Sequence, residues 1–192
     1  MNHHVFHPIP GGRTRVAVLV FVALACMLVP VLPAGAVQLI PSIGLTKAVD
    51  DRSGDAKAYG SLALRSSLAP FLDFELGIAY REQSYFDDQL KLRMWPVTAS
   101  AWVRPVPTLY AGAGVGYYPT TFDYADAVPI EDSTSDRLGV HLGAGVDLPL
   151  GPRLALDLHG RYIMLREQHS RLVPETFDPD FWNASLGLAI KF

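Results

Sequence analysis

Charged and histidine side chains recur at every second position within several alternating segments of this 192-residue chain. Six cationic residues, four carboxylates and two histidines share these positions: Arg65, Asp73, Glu75, Arg81, Lys91, Arg93, His141, Asp147, Asp157, His159, Arg161 and Lys191. Both signs are present in similar number, and an unpaired charge is very costly to bury. We therefore expect a buried ion-pair network with Asp157 and Arg161 as partners, and a selective conducting pathway is the alternative.

Two histidines and one carboxylate in this set suggest a second kind of chemistry. His141, His159 and Asp157 are residue types that bind metals or form hydrolytic sets. No nucleophile shares their face at a suitable spacing. The sequence therefore predicts no catalytic residue, no metal site and no cofactor.

Glycines alternate on the same face as the charges, in the stretches GAGVG (112–116) and GAG (143–145). A phosphate-binding loop would need a following Lys-Ser/Thr pair and a helix, and neither stretch has them. Small residues at every second position instead suit the narrow interior of an eight-stranded barrel.

The segments that carry these residues alternate with the period of a β-strand. Residues 72–83 show it most clearly, with Phe74, Leu76 and Ile78 on one face and Asp73 and Glu75 on the other. Eight segments follow this pattern: 38–47, 58–68, 72–83, 89–103, 109–118, 138–148, 154–164 and 182–192.

Residues 89–103 depart from simple alternation at Trp95-Pro96. The large apolar residues are Leu90, Leu92 and Met94 before this dipeptide and Val97, Ala99, Ala101 and Val103 after it. The apolar face thus slips by one residue, which predicts a β-bulge, a position where proline is tolerated. This reading places Lys91 and Arg93 on the inner face.

The connections between segments alternate in length. Short ones lie around Pro70, at 105–107 and at 149–152, and longer ones at 49–56, 84–88, 120–136 and 168–180. Outer-membrane barrels have short periplasmic turns and longer external loops, with an even number of strands. The observed order fits that rule.

The longer connections are acidic. Residues 120–136 contain five carboxylates and neither lysine nor arginine: Asp123, Asp126, Glu131, Asp132 and Asp136. We interpret them as an acidic external loop that keeps the surface solvated. Bridging to lipopolysaccharide through divalent cations, or binding of a basic partner, is the alternative.

The N-terminal residues have the features of an export signal. Arg13 and Arg15 precede an uncharged apolar run at 16–32, and Ala34-Gly35-Ala36 offers small residues for cleavage. Residues 1–36 are thus predicted to be a cleaved signal peptide, with a signal anchor as the alternative. Cleavage would remove Cys26, the single cysteine, and leave 14 basic and 19 acidic residues, a net charge of −5. Such a charge argues against nucleic acid as a partner.

We expect protein extracted from membranes to begin at Val37, because cleavage after Ala36 fits the small-residue pattern. N-terminal sequencing measures this directly. A chain that still begins at Met1 would contradict the cleavage and favour the signal anchor.

Phe192 ends the chain, and Ile190 and Leu188 precede it at every second position. This arrangement resembles the C-terminal assembly signal of small bacterial outer-membrane β-barrel proteins, the porin-like barrels of the OmpW, OmpX and OmpA types. The OmpW type is the most similar, because Asp178-Pro179 precedes an aromatic pair and an alternating strand. The resemblance implies an all-β, eight-stranded antiparallel up-and-down transmembrane β-barrel at 37–192. It also implies a bacterial outer-membrane location.

The same resemblance suggests partners and functions. The partners would be outer-membrane lipid and lipopolysaccharide, the barrel-assembly machinery that reads the C-terminal signal, and a possible small hydrophobic solute. The expected function is a structural or passive small-solute role without catalysis, with surface recognition through the acidic external loops as the alternative. A more remote alternative is a lipid A-modifying hydrolase, whose family carries a His and a Ser near the last external loop with one other residue between them. Here His169 and Ser170 are adjacent.

Overall fold

The computed structural model describes residues 37–49, 56–85, 90–124, 133–165 and 180–192. Nine antiparallel strands follow one another along the chain: β1 (Val37–Ala48), β2 (Lys57–Ala69), β3 (Leu72–Tyr85), β4 (Leu90–Met94), β5 (Val97–Val106), β6 (Leu109–Tyr124), β7 (Ser133–Pro149), β8 (Leu154–Leu165) and β9 (Phe181–Lys191). In the part of the chain so described, no helix is long and apolar enough to cross a membrane.

The nine segments occupy eight positions in a closed sheet. β4 and β5 lie end to end, since both pair with β3 on one side and with β6 on the other. Each remaining strand pairs with its neighbours in sequence, and β1 also pairs with β9, which closes the sheet. The predicted eight-stranded antiparallel up-and-down β-barrel is therefore confirmed.

The junction of β4 and β5 corrects the predicted bulge. Arg81 pairs with Met94, and Ile78 pairs with Val97, so the register continues unchanged across Trp95-Pro96. Pro96 has no N–H to donate, which interrupts the strand without inserting an extra residue. The prediction of a β-bulge at this dipeptide is wrong.

The faces of β4 are consequently reversed from the prediction. Met94 is buried inside the barrel, Leu92 packs against the same interior cluster, and Arg93 is exposed. The sequence reading assumed that large apolar side chains must face lipid. Near the external end the interior itself is apolar, and there that assumption fails.

The other strands have the predicted faces. Large apolar residues cover the outer wall and remain exposed: Ile43, Leu45, Leu62, Leu64, Ile78, Val103, Leu109, Val115, Val140, Leu142, Leu158, Leu186 and Leu188. An apolar surface this extensive is unusual for a protein in water, whereas the hydrocarbon of a bilayer requires it. The outer wall is thus built to face lipid.

The connections follow the predicted order, with one change. Two residues join β2 to β3, two join β5 to β6, and four join β7 to β8, all at one end of the barrel. At the other end β6 and β7 extend beyond the predicted strands and pair as far as Phe122 and Ser133. Asp123 and Asp136 therefore lie in strands rather than in the acidic loop, while Asp126, Glu131 and Asp132 lie outside the described residues.

The C-terminal residues lie at the closing seam. The N–H of Phe192 donates to the carbonyl of Val37 at 2.9 Å, next to the pairing of β1 with β9. Phe192 is 77% exposed, and Leu188 is exposed on the same outer face as Ile190. The three residues predicted as an assembly signal thus form one outward row at the short-turn end.

Candidate functional site in the barrel interior

A buried arginine stands at the centre of the interior. Arg65 on β2 is 1% exposed, and its guanidinium lies 2.8 Å from Glu75 Oε2, 3.0 Å from Asp157 Oδ2 and 3.5 Å from Asp147 Oδ1. It also donates to the hydroxyl of Tyr110 at 3.1 Å and stacks 4.3 Å from that ring's centroid. Charge-assisted hydrogen bonds to several partners are what a buried guanidinium needs to offset its desolvation.

The hydroxyl of Tyr110 connects this arginine to a histidine. It donates to Asp157 Oδ2 at 2.7 Å and lies 2.8 Å from Nδ1 of His159. On the other side of the imidazole, Nε of Arg161 donates to Nε2 of His159 at 2.7 Å. An imidazole nitrogen that accepts carries no proton, so neutral His159 holds its proton on Nδ1 and donates it to the oxygen of Tyr110.

Arg161 and Arg104 extend the network in opposite directions. Arg161 forms an ion pair with Glu75, the same carboxylate that Arg65 contacts. Arg104, near the short-turn end, pairs with Asp73 and lies 2.6 Å from Asp147 Oδ2. Three arginines and four carboxylates thus form a continuous network across the lumen.

Aromatic rings fill the space beside these charges. Trp102 is 0% exposed and meets Tyr110 and His159 edge to face, with ring centroids 5.5 Å and 5.0 Å apart. The guanidinium carbon of Arg161 lies 5.2 Å from the ring centroid of Trp102. Cations held near aromatic faces are stabilised by the ring quadrupole, so the rings support the network as well as fill the lumen.

Glycines on the inner face give each ring its place. A Cβ added at Gly145 would overlap the phenol of Tyr110, and one at Gly143 would lie 3.1 Å from Trp102 and 2.8 Å from the carbonyl oxygen of Gly160. The glycines predicted on the inner face therefore leave the space that particular aromatic side chains occupy.

We expect Gly145→Ala to lower the free energy of unfolding by about 1 to 3 kcal/mol, because the added methyl overpacks against Tyr110 and the Leu158 carbonyl. Gly160→Ala is the matched control, since the nearest atom to its added Cβ is 3.9 Å away and the change should stay within about 0.5 kcal/mol. Urea unfolding of both variants in lipid measures the difference. Equal effects would show that the inner glycines hold no specific side chain.

An apolar layer lies beyond the network toward the external end. It consists of Met94, Tyr118, Ile163, Leu165 and Phe181, with Leu92 packed against it. Arg81 stacks on this layer, its guanidinium carbon 4.0 Å from the ring centroid of Phe181. The interior therefore contains an apolar layer toward the external end and an ion-pair network toward the short-turn end.

Comparison with known proteins identifies the architecture. No protein-family model matches the chain, and no curated protein matches it. Among solved structures it is similar to Neisserial surface protein A, with a TM-score of 0.60 and 16% identity over 82% of this chain and 96% of that one. OprG from Pseudomonas aeruginosa has a TM-score of 0.58 and 16% identity, with coverages of 82% and 96%. Ail, the attachment invasion locus protein of Yersinia pestis, has a TM-score of 0.53 and 14% identity, with coverages of 82% and 99%.

The fold is that of a small outer-membrane β-barrel. The lipid-facing outer wall and the alternation of short turns with longer connections agree with these neighbours. The structure and the similar solved proteins both agree with the predicted small outer-membrane barrel and its outer-membrane location.

The barrel brings most of the predicted network residues together. Those in the ion-pair network are Arg65, Asp73, Glu75, Asp147, Asp157, His159 and Arg161. His141 lies in the next layer, where its Nε2 is 2.9 Å from the hydroxyl of Ser100. Arg81 stacks on the apolar layer, Lys191 is half-buried at the end of β9, and Lys91 has no described side chain. Arg93, predicted to face inward, is exposed.

The predicted pairing of Asp157 with Arg161 is wrong. Arg161 pairs with Glu75, and Asp157 pairs with Arg65 at 3.0 Å. Asp157 and Arg161 lie on one strand, four residues apart, so their side chains point the same way at different heights. Cross-barrel partners on other strands are closer, and a single-strand pattern does not reveal them.

The structure places a serine beside one of the two histidines, but it does not complete a Ser-His-Asp triad. Ser100 contacts His141, yet both side chains are buried, and Asp157 bonds to Arg65 and Tyr110 instead of orienting His141. His169 and Ser170 of the lipid A-hydrolase alternative lie outside the described residues. Within the described ranges, no group of three or more metal-ligating side chains is placed to hold a metal ion.

Arg104, Trp102 and the hydroxyl of Tyr110 are the network members that the sequence reading missed. Trp102 and Arg104 lie two and four residues beyond Ser100 on the inner face of β5. The predicted faces of 97–103 already place Trp102 inward, but only charged and histidine residues were assigned to the network. Arg104 falls outside because the predicted segment ends at 103, before Pro105. Tyr110 lies two residues before Gly112 and so shares the predicted inner face of the glycines, but its bridging role depends on β8 lying across the lumen.

Proposed function

We propose that this protein is a non-catalytic outer-membrane β-barrel with a structural role, whose lumen is closed to steady ion flow. The observation that carries the proposal is the network around Arg65, which spans the interior and is buried together with Trp102 and Tyr110. An eight-stranded barrel has an interior just wide enough for its own side chains. A network that fills this interior leaves no aqueous path at its level.

The apolar layer supports the same function. Tyr118 and Phe181 meet edge to face with centroids 6.2 Å apart, and Met94 and Ile163 pack around them. Where this layer meets the network, the described residues line a cavity of only about 30 Å³, room for one or two water molecules. Ions would have to cross two closed layers of different chemistry.

The proposal assigns partners to the outer surface. Outer-membrane lipid and lipopolysaccharide would contact the apolar outer wall, where Val115, Val140 and Leu142 are exposed. The barrel-assembly machinery would read the outward row that ends in Phe192. No nucleic acid is expected, since the net charge of the whole chain is −3.

The test is planar-bilayer recording with the refolded barrel. The wild type should give no steady conductance above a protein-free bilayer. The double variant Trp102→Ala and Tyr110→Ala serves as the control for a working assay, because it removes two rings that fill the lumen beside the network. Steady single-channel currents from the wild type would overturn the closed structural barrel and favour a transport function.

A further inference from the structure

A small chamber lies inside the barrel where the apolar layer meets the ion-pair network, and members of both line it. Its volume is about 30 Å³, and its polar lining includes Ser61, Thr98, Tyr118, His141, Arg161 and Asn183. These residues come from strands around the whole barrel, so the chamber lies within the lumen rather than in the wall. The closed-lumen proposal does not require it.

Two side chains that line the chamber have polar atoms without a protein partner among the described residues. They are Nδ1 of His141 and the hydroxyl of Tyr118, and each residue is only 1% exposed. The other nitrogen of His141, Nε2, is 2.9 Å from the hydroxyl of Ser100. A buried polar atom without a hydrogen bond is costly, so two of them beside one cavity indicate a polar occupant.

The size of the chamber defines that occupant. About 10 to 15 Å³ of such volume is enough for one water molecule, and a buried water needs two to four polar partners. The chamber therefore has room for one or two waters. Apolar cavities of proteins stay dry, but a lining with hydroxyl, amide, imidazole and guanidinium groups supplies the partners that water needs.

We propose that this chamber is a structural hydration site that holds one or two water molecules hydrogen-bonded to Nδ1 of His141 and to the hydroxyl of Tyr118. The apolar layer separates this water from the external side, and the network separates it from the short-turn end. Its exchange with bulk water then requires one of the two layers to open. The residence time of the water reports how often the closed barrel opens.

The test is nuclear magnetic resonance of the full barrel in lipid nanodiscs, with isotope-labelled histidine. Cross-relaxation from water to the carbon-bound ring protons of His141 should be observed. His159 is the internal control, because Tyr110 and Arg161 occupy both of its nitrogens and it does not line the chamber. Absence of a water contact at His141, or equal contacts at both histidines, would overturn an enclosed site.

A chamber-filling variant makes the test independent of assignment errors. Ala79→Val adds two methyl groups to an inward residue that lines the chamber, and should abolish the water contact at His141 while the backbone amide spectrum stays that of a barrel. Ser61→Val is the second variant if the first does not refold. A water contact that persists unchanged in a folded, filled variant would place the water elsewhere and reject the proposal.

Discussion

Arg65→Ala should lower the free energy of unfolding of the barrel by about 3 to 5 kcal/mol, the usual cost of breaking a buried charge pair. The variant leaves Glu75 and Asp157 without their shared guanidinium and removes a stacking partner of Tyr110. Urea unfolding in lipid vesicles, followed by tryptophan fluorescence, measures the loss. Arg153→Ala is the matched control, because Arg153 is exposed in a short turn and its removal should cost within about 0.5 kcal/mol.

The interpretation of this result depends on which carboxylates are left unpaired. Adding Glu75→Gln and Asp157→Asn to Arg65→Ala should restore part of the lost stability, since the uncompensated charges are then gone. Arg161 would lose its own partner at Glu75, so the recovery should be incomplete. If Arg65→Ala unfolds at the wild-type urea concentration, Arg65 does not hold the interior together.

Leu142→Arg should cost about 2 to 4 kcal/mol, the range for a cation on the lipid face near the bilayer midplane. Leu142 is 55% exposed on β7, and its neighbours across the sheet are Ala113 and Tyr162. The same unfolding measurement in lipid gives the loss of stability.

Leu150→Arg is the control that separates membrane depth from the loss of a leucine. Leu150 is also exposed, but it lies in the short turn between β7 and β8, near the interface. Arginine near the interface costs about 0 to 1 kcal/mol. If Leu150→Arg proves as costly as Leu142→Arg, then Leu142 does not lie near the bilayer midplane with Leu150 near the interface.

The sequence predicts the barrel well because alternation is a local property. A strand such as β3 must place Asp73 and Glu75 on one face and Phe74 and Leu76 on the other, whatever the rest of the chain does. The number of strands and the order of connections follow from such segments. The exception at β4 arises because the interior changes from polar to apolar along the barrel axis, and no single strand reveals that change.

The connections within the interior could not be predicted in the same way. The sequence indicates that Arg65, Glu75 and Asp157 share the lumen, but their contacts depend on the heights at which three strands cross it. Those heights follow from the stagger of the strands around the closed sheet, a property of the whole barrel. The seat of Tyr110 on Gly145 has the same origin, as these residues pair across β6 and β7.

The seam between β1 and β9 has a consequence for how the protein reaches this state. The two strands are far apart in sequence, and their pairing, from Gln38 with Lys191 to Ala48 with Phe181, supplies one of the eight contacts of the ring. Contacts between distant segments form slowly because a long loop must be ordered first. Until β9 docks, β1 and β8 each present an unpaired edge that can recruit a second chain. Folding is therefore a late ring closure, and the interval before it is when the chain is most prone to aggregate.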